Sequence, residues 1–314
     1  MTWVMSTTKQ SALRTCALTR DPESLLAMTT SPRRIRLQVA AAPILMVVAA
    51  LSPLLVMLPV IALPGAKHWF NDPSNLWWAT AFMVLLAGMP TVTALLGVRW
   101  LTHRCEGRSL RDAGLVWTRR SLELGLLGVL VSAIVVAPTA LLLAGTARPF
   151  EPDSRPLAVA VVIGLANAFL LQGFPEELVM RGYLMQVLRD RPVTALLTST
   201  GLFGVLHLVS NGGQQNVWER VLYLATPTGF AFCAGALVLA CRSLWPAVGI
   251  HAGFHVTNLA LLVAGRPSES PTLWVVTGLV YVAFGLVALL IWRRRPKSDK
   301  GVGDGSVAEV VLDR

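Results

Sequence analysis

Eight long apolar segments, separated by shorter polar connections, constrain the fold of this chain more than any other feature of its sequence. Each has about 20 residues or more, enough for an α-helix rising about 1.5 Å per residue to cross a bilayer. Charged residues make up 14% of the chain, whereas a soluble domain usually contains about 25%. The sequence therefore predicts an all-α polytopic membrane protein with about eight transmembrane helices. The predicted spans are residues 37–63, 76–98, 122–144, 157–188, 193–210, 221–241, 244–264 and 272–292.

The distribution of basic residues predicts the orientation of these helices. Lys and Arg are most frequent before the first span, between the second and third, and after the fourth, sixth and eighth. Because connections rich in Lys and Arg stay in the cytoplasm, both termini are predicted to be cytoplasmic. Residues 1–36 and 293–314 are predicted to be disordered tails on a transmembrane domain at residues 37–292.

The net charge of +10 does not predict a nucleic-acid partner. The basic residues lie in short blocks between apolar segments and form no basic face with interleaved aromatic residues. The partner that this pattern predicts is the lipid bilayer. The four cysteines are scattered and form no CxxC pair, so neither a disulfide framework nor a zinc knuckle is predicted.

Glu176, Glu177 and Arg181 interrupt the fourth apolar segment. They lie within LQGFPEELVMRGYLMQVLRDR, residues 171–191. Ionisable groups at membrane depth are costly unless they are paired or solvated, and they mark a functional site by default. The alternative is a charge pair at a helix end near the lipid headgroups. The segment is longer than a bilayer requires, so a kink is predicted near Gly173 and Pro175.

Glu176, His207, His251 and His255 are predicted to lie at similar depths in the membrane. Counted from the nearest cytoplasmic arginine, Glu176 lies about 20 Å along its helix and His207 about 24 Å. His255 and His251 lie about 20 and 14 Å along theirs. Polar groups from three helices at matching depth predict one shared site.

Side-chain spacing within the fourth span predicts different roles for its charged residues. Glu177 and Arg181 are four residues apart and face each other on one helix, so they are predicted to pair. Glu176 is rotated about 100° away and is free to face another helix. A carboxylate in an apolar, partly wet cavity suits a general base. His207 is predicted to orient a water molecule or to share the proton transfers.

His251 and His255 lie on one face of the seventh helix, where they are predicted to donate hydrogen bonds to a developing oxyanion. The same His-x-x-x-His spacing can place two metal ligands on one helix face. A divalent metal such as zinc therefore stays open, and no other cofactor is predicted. Neither GxSG nor HExxH occurs, and the only GxGD, at residues 301–304, falls in the polar C-terminal tail.

Three motifs on successive spans resemble those of the CPBP family of intramembrane proteases. The family includes the prenyl-protein (CAAX) endopeptidases and bacteriocin-associated, Abi-type bacterial relatives. Its EExxxR, FxxxH and HxxxN motifs correspond here to residues 176–181, 203–207 and 251–255. The resemblance covers about residues 157–262, with a weaker similarity at SLRDAGL, residues 109–115.

The resemblance implies that Glu176 and His207 activate the water that attacks a peptide carbonyl, and that His251 stabilises the oxyanion. Glu177, Arg181 and Phe203 would support these residues. The family asparagine is replaced by His255. A neutral imidazole donates one hydrogen bond, so the oxyanion role can survive, or the replacement alters specificity or activity. Asn258 is the alternative donor.

Together these features predict a bacterial intramembrane endopeptidase of the glutamate type in the cell membrane. Its substrate would be a membrane-embedded or membrane-anchored protein or peptide. The main alternative is a non-catalytic CPBP-like binding or scaffold protein, for example in bacteriocin self-immunity. A third alternative is a small-solute transporter with a proton-relay glutamate, although no pair of inverted repeats is evident.

Overall fold

The computed structural model describes residues 31–148, 155–266 and 269–295, and these ranges contain helices but no β-strand. Within them, eight helices are long and apolar enough to cross a membrane. The all-α polytopic fold predicted from the sequence is thereby confirmed. The helices are α1 Pro32–Ile61, α2 Pro73–Arg104, α3 Arg119–Leu142, α4 Leu157–Val187, α5 Pro192–Val209, α6 Val217–Cys241, α7 Trp245–Val263 and α8 Pro271–Arg294.

Several of these helices are interrupted or change pitch along their length. A break at Ser52 and Pro53 divides α1, and a turn at Leu224 divides α6. The predicted tails lie largely outside the described residues, although α1 already begins at Pro32. The component helices are Pro32–Leu51 and Leu54–Ile61 in α1, Leu76–Leu101 in α2, Pro192–Leu206 in α5, and Val217–Tyr223 and Ala225–Cys241 in α6, with Ala66–Asn71 between α1 and α2.

The central helix α4 contains two stretches of wide, π-helical turns. They are Asn167–Gly173 and Leu178–Leu184, on either side of a short α-helical piece, Phe174–Glu177. Phe174 donates its N–H to the carbonyl of Phe169, five residues earlier. Pro175 has no N–H to continue the regular ladder, which disturbs an α-helix. The irregularity predicted near Gly173 and Pro175 therefore takes the form of wide turns, which often occur at functional sites.

Helix α4 lies inside the bundle, in contact with α1, α2, α5 and α7. Residues 177–185 of α4 are all buried. The contact with α7 depends on Gly173, where an added Cβ would lie 3.1 Å from the backbone nitrogen of Ala252. Helix α3 packs along α7, and α6 packs along α8. This arrangement brings α4, α5, α6 and α7 around one buried region.

Hydrogen bonds fix the connections at both ends of the bundle. The indole N–H of Trp245, at the start of α7, donates to the carbonyl of Val116, 2.6 Å away. At the opposite end, Arg148 pairs with Glu219 at 2.6 Å and donates to the carbonyl of Gly213. The connection that follows His207 is thus attached to the α3–α4 connection.

Candidate active site

Glu177 links α4 to α7 through its side chain. Its Oε1 accepts a hydrogen bond from Nη1 of Arg181 at 3.1 Å and lies 3.0 Å from Nδ1 of His251. All three side chains are almost completely buried. Glu177 therefore does more than pair with Arg181 within its own helix, as its spacing predicts, because it also holds the histidine of α7.

Arg181 is a buried charge that contacts groups from three helices, although its Nε has no hydrogen-bond partner within the described residues. Besides Glu177, its Nη2 donates to the carbonyl of Ala231 on α6, 3.0 Å away. Its guanidinium carbon lies 4.7 Å from the centre of the Phe203 ring on α5, within the range of a cation–π interaction. Because an unpaired buried charge is costly, these contacts fix the relative positions of α4, α5 and α6.

His207 lies at the end of α5, where the helix tightens into a single 3₁₀ turn at His207–Val209. Its Nδ1 lies 2.8 Å from the carbonyl of Phe203. A carbonyl only accepts, so Nδ1 must carry the proton, and in the neutral ring Nε2 is left as an acceptor. The imidazole also stacks on the Phe203 ring, with centroids 4.3 Å apart. Both contacts position a histidine whose free nitrogen can accept a proton.

Aromatic side chains surround the two histidines of α7. The rings of His251 and His255 are stacked, with centroids 5.3 Å apart and planes inclined by 27°. The ring centroid of Phe230, on α6, lies 4.9 Å from that of His251 and 5.2 Å from that of Phe203. Sequence reasoning missed Phe230, because a phenylalanine in an apolar span carries no distinguishing signal.

The side chain of Glu176 lies on a different face of α4 from that of Glu177. It lines a small cavity of about 10 Å³, together with Met46 and Ala49 of α1 and Pro90 of α2. Its Oε2 is buried and has no hydrogen-bond partner within the described part of the chain. A buried carboxylate oxygen without a protein partner is a position for a water molecule or a substrate group.

Asn258 is held by a hydrogen bond inside its own helix. Its Nδ2 donates to the carbonyl of Phe254 at 2.8 Å. This bond occupies one of the two amide protons that an oxyanion contact would use. His255, by contrast, is stacked directly on His251, so it is the better placed of the two predicted donors.

Apart from Asn258, the predicted site residues thus form one joined group and one separate residue, Glu176. Hydrogen bonds or ring contacts connect the members of the joined group. Within it, the rings of Phe203 and His251 meet edge to face, with centroids 5.8 Å apart. Glu176 lies beside this group and faces the cavity near α1 and α2. Among the described residues, no three His, Cys, Asp or Glu side chains converge as a metal-ligand set. The members of the joined group are Glu177, Arg181, Phe203, His207, His251 and His255.

Comparison with known proteins identifies the segment that carries these residues. Residues 158–257 match the family model described as type II CAAX prenyl endopeptidase Rce1-like. No curated protein and no solved structure matches the chain. The family match and the eight candidate spans support a protease-type function in a membrane. The resemblance indicated by the three motifs is thereby confirmed for residues 158–257, which match the Rce1-like model of the CPBP family.

Proposed function

We propose that this protein is an intramembrane endopeptidase that hydrolyses a peptide bond of a membrane-embedded or membrane-anchored substrate. One observation carries the proposal: buried polar side chains of α4, α5 and α7 converge within the Rce1-like segment. Isolated structural polar residues on three helices have no reason to converge. Both termini would be cytoplasmic, and the cell membrane would be the location.

In this proposal, Glu176 acts as the general base and His207 assists it. The buried, unpartnered Oε2 of Glu176 would take the proton of a water molecule that approaches through the adjoining cavity. Nε2 of His207, which the Nδ1 contact leaves free, would accept a hydrogen bond from that water and so orient it, and the protonated Glu176 would later deliver its proton to the leaving amine. The water oxygen forms the new bond to the carbonyl carbon, and the C–N bond then breaks.

His251 would stabilise the oxyanion, with Glu177 and Arg181 as its supports. Because Nδ1 of His251 faces Glu177, the other nitrogen, Nε2, would face the reacting carbonyl. Nε2 carries a proton when His251 is an imidazolium or when Glu177 is protonated on Oε1. Arg181 fixes the Glu177 carboxyl and thereby the ring. His255 would add a second donor in place of the family asparagine.

A non-catalytic binding or scaffold function is the second candidate. The replacement of the family asparagine by His255 favours it, because an amide donor is lost from the predicted oxyanion site. A binding protein would retain the buried contacts of Glu177 and Arg181 but would not require Glu176 as a base. The two functions therefore differ in what a change at Glu176 does.

The test is cleavage by the purified protein in detergent. The probes are a fluorogenic farnesylated CAAX peptide and a membrane-protein extract from the expression host, each treated with wild type, Glu176→Ala or His207→Ala. The proposal expects products from wild type and a loss of about 100-fold or more in each variant. Cleavage that both changes leave intact would show that these residues are not the base and its partner.

A chelator arm in the same assay addresses the metal question. The glutamate mechanism expects wild-type cleavage to persist in EDTA and in 1,10-phenanthroline. Cleavage that is lost with chelator and restored by added zinc would replace this mechanism with a metal-dependent one at the same residues.

A further inference from the structure

The backbone carbonyl before His251 accepts a hydrogen bond from another helix. Ser132, on α3, donates its hydroxyl to the carbonyl of Ile250 at 2.6 Å. Tyr281, on α8, donates its hydroxyl to Ser132 at 2.8 Å. Ser132 and Tyr281 are completely buried. The result is a continuous chain of hydrogen bonds from α8 through α3 to α7, and both of its donors lie outside the segment that carries the family motifs.

The surrounding contact between α3 and α7 is made largely by glycine. A Cβ added at Gly253 would lie 2.7 Å from the Cα of Val129, and one added at Gly249 would lie 3.0 Å from the Cα of Gly128. Such small-residue surfaces let two helix backbones approach closely in a membrane. They present few side chains that interlock, so a directional hydrogen bond is what fixes the longitudinal position of one helix against the other.

Tyr281 also reaches His251 by a second route. Its ring lies 6.1 Å from the ring of Phe230, and Phe230 contacts the His251 ring at 4.9 Å. Tyr281 therefore restricts the position of His251 in two ways. It acts on the backbone through Ser132 and on the imidazole ring through Phe230.

We propose that Ser132 and Tyr281 are positioning residues that hold His251 at the distance from Glu177 that the reaction requires. This inference rests on the proposed function, in which His251 stabilises the oxyanion. Neither residue would touch the substrate. Their effect would be transmitted through the Ile250 carbonyl and the Phe230 ring, so removal of either hydroxyl would lower kcat and leave KM nearly unchanged.

The test compares Ser132→Ala, Tyr281→Phe and the double variant with a matched control, Thr226→Val. Thr226 is also buried and also donates its hydroxyl across helices, to the carbonyl of Trp274 at 2.7 Å, but that bond joins α6 to α8. We expect kcat to fall by about tenfold to 100-fold in Ser132→Ala and to stay at the wild-type value in Thr226→Val. Because the two hydroxyls act in one chain, the double variant should lose no more than Ser132→Ala alone.

A second measurement does not depend on cleavage. The ring nitrogens of His251 and His207 are followed by nuclear magnetic resonance of ¹⁵N-histidine-labelled protein in micelles, assigned with His251→Gln and His207→Gln. Ser132→Ala and Tyr281→Phe should shift the His251 resonances and leave those of His207 in place. Tyr281→Phe removes only the hydroxyl that donates to Ser132 and keeps both the ring and the donor of the bond to the Ile250 carbonyl, so it serves if Ser132→Ala does not fold.

The two measurements separate the failures. Unshifted His251 resonances in both variants, or an equal shift in Thr226→Val, would overturn the positioning role whatever the wild type cleaves. If the His251 resonances shift in the variants and the wild type cleaves nothing, the result would support the positioning of His251 and count against the proposed endopeptidase.

Discussion

The Glu177 carboxyl joins two helices through one oxygen atom, and its removal should be costly. Glu177→Gln leaves the Arg181 guanidinium buried without its counter-charge. Arg181→Met likewise leaves the Glu177 carboxylate buried without its counter-charge. Breaking a fully buried pair in this way costs about 3–5 kcal/mol. We therefore expect each change to lower the free energy of unfolding by about that amount, measured by denaturant titration in detergent.

The chain offers a matched control for this prediction. Arg119 and Glu123 form an ion pair with the same four-residue spacing, but their side chains are 91% and 57% exposed. Exposed pairs contribute little to stability, so Glu123→Gln should leave the free energy of unfolding almost unchanged. Equal effects at positions 123 and 177 would mean that the buried pair has no special structural role.

The predicted oxyanion site differs from the family pattern at His255. His255→Asn restores the family residue and should keep kcat within about tenfold of wild type, whereas His255→Leu should lower it by about 100-fold or more. The measurement is the initial rate of cleavage at saturating substrate. Asn258→Ala is the control, because its amide already donates within α7. A larger loss at Asn258 than at His255 would transfer the donor role to Asn258.

At the scale of elements, the contact between α3 and α7 sets a limit on side-chain size. A Cβ at Gly253 would lie 2.7 Å from a backbone atom of Val129, whereas one at Gly201 on α5 meets nothing within 4 Å. Gly253→Ala should therefore destabilise the protein. Gly201→Ala should stabilise it by about 0.5–1 kcal/mol, because alanine loses less conformational freedom in a helix.

Thermal unfolding in detergent measures both glycine changes. The two midpoints should move in opposite directions from the wild-type value. If Gly253→Ala were as well tolerated as Gly201→Ala, the close packing of α3 on α7 would be wrong, and the positioning of His251 by Ser132 would lose its basis.

The sequence predicts the helices well but does not predict how they differ from regular α-helices. Apolar runs of sufficient length predict all eight spans, since the bilayer imposes that length directly. Pro175 indicates an irregularity in α4, but the wide turns at Asn167–Gly173 and Leu178–Leu184 depend on neighbouring helices. Those neighbours are not adjacent in sequence.

The contacts between helices were predictable only where a local rule applies. The spacing of Glu177 and Arg181 predicts their pairing, because both lie on one helix face. The contact of Glu177 with His251 joins residues 74 positions apart, and the sequence indicates it only indirectly, through the predicted depths of the neighbouring Glu176 and of His251. Ser132 and Tyr281 gave no signal, since a hydroxyl in an apolar span commonly bonds within its own helix.

At the scale of the whole molecule, the basic connections predict the orientation of the bundle in the membrane. We expect the α4–α5 connection to lie in the cytoplasm and the α5–α6 connection on the opposite side. In a variant without native cysteines, Asp190→Cys should resist a membrane-impermeant thiol reagent in intact cells, whereas Asn211→Cys should react. Permeabilised cells, in which both should react, are the control. Labelling of position 190 alone would invert the predicted topology.

The central claim is that Glu176 and His207 carry out peptide hydrolysis in the membrane. It is tested most directly by mass spectrometry of protein termini in membranes of cells that produce wild type, Glu176→Gln or His207→Gln at equal levels. The proposal predicts new termini, within or beside membrane segments, that occur with wild type and are absent with both variants. Identical termini in all three membranes would contradict the proposed endopeptidase.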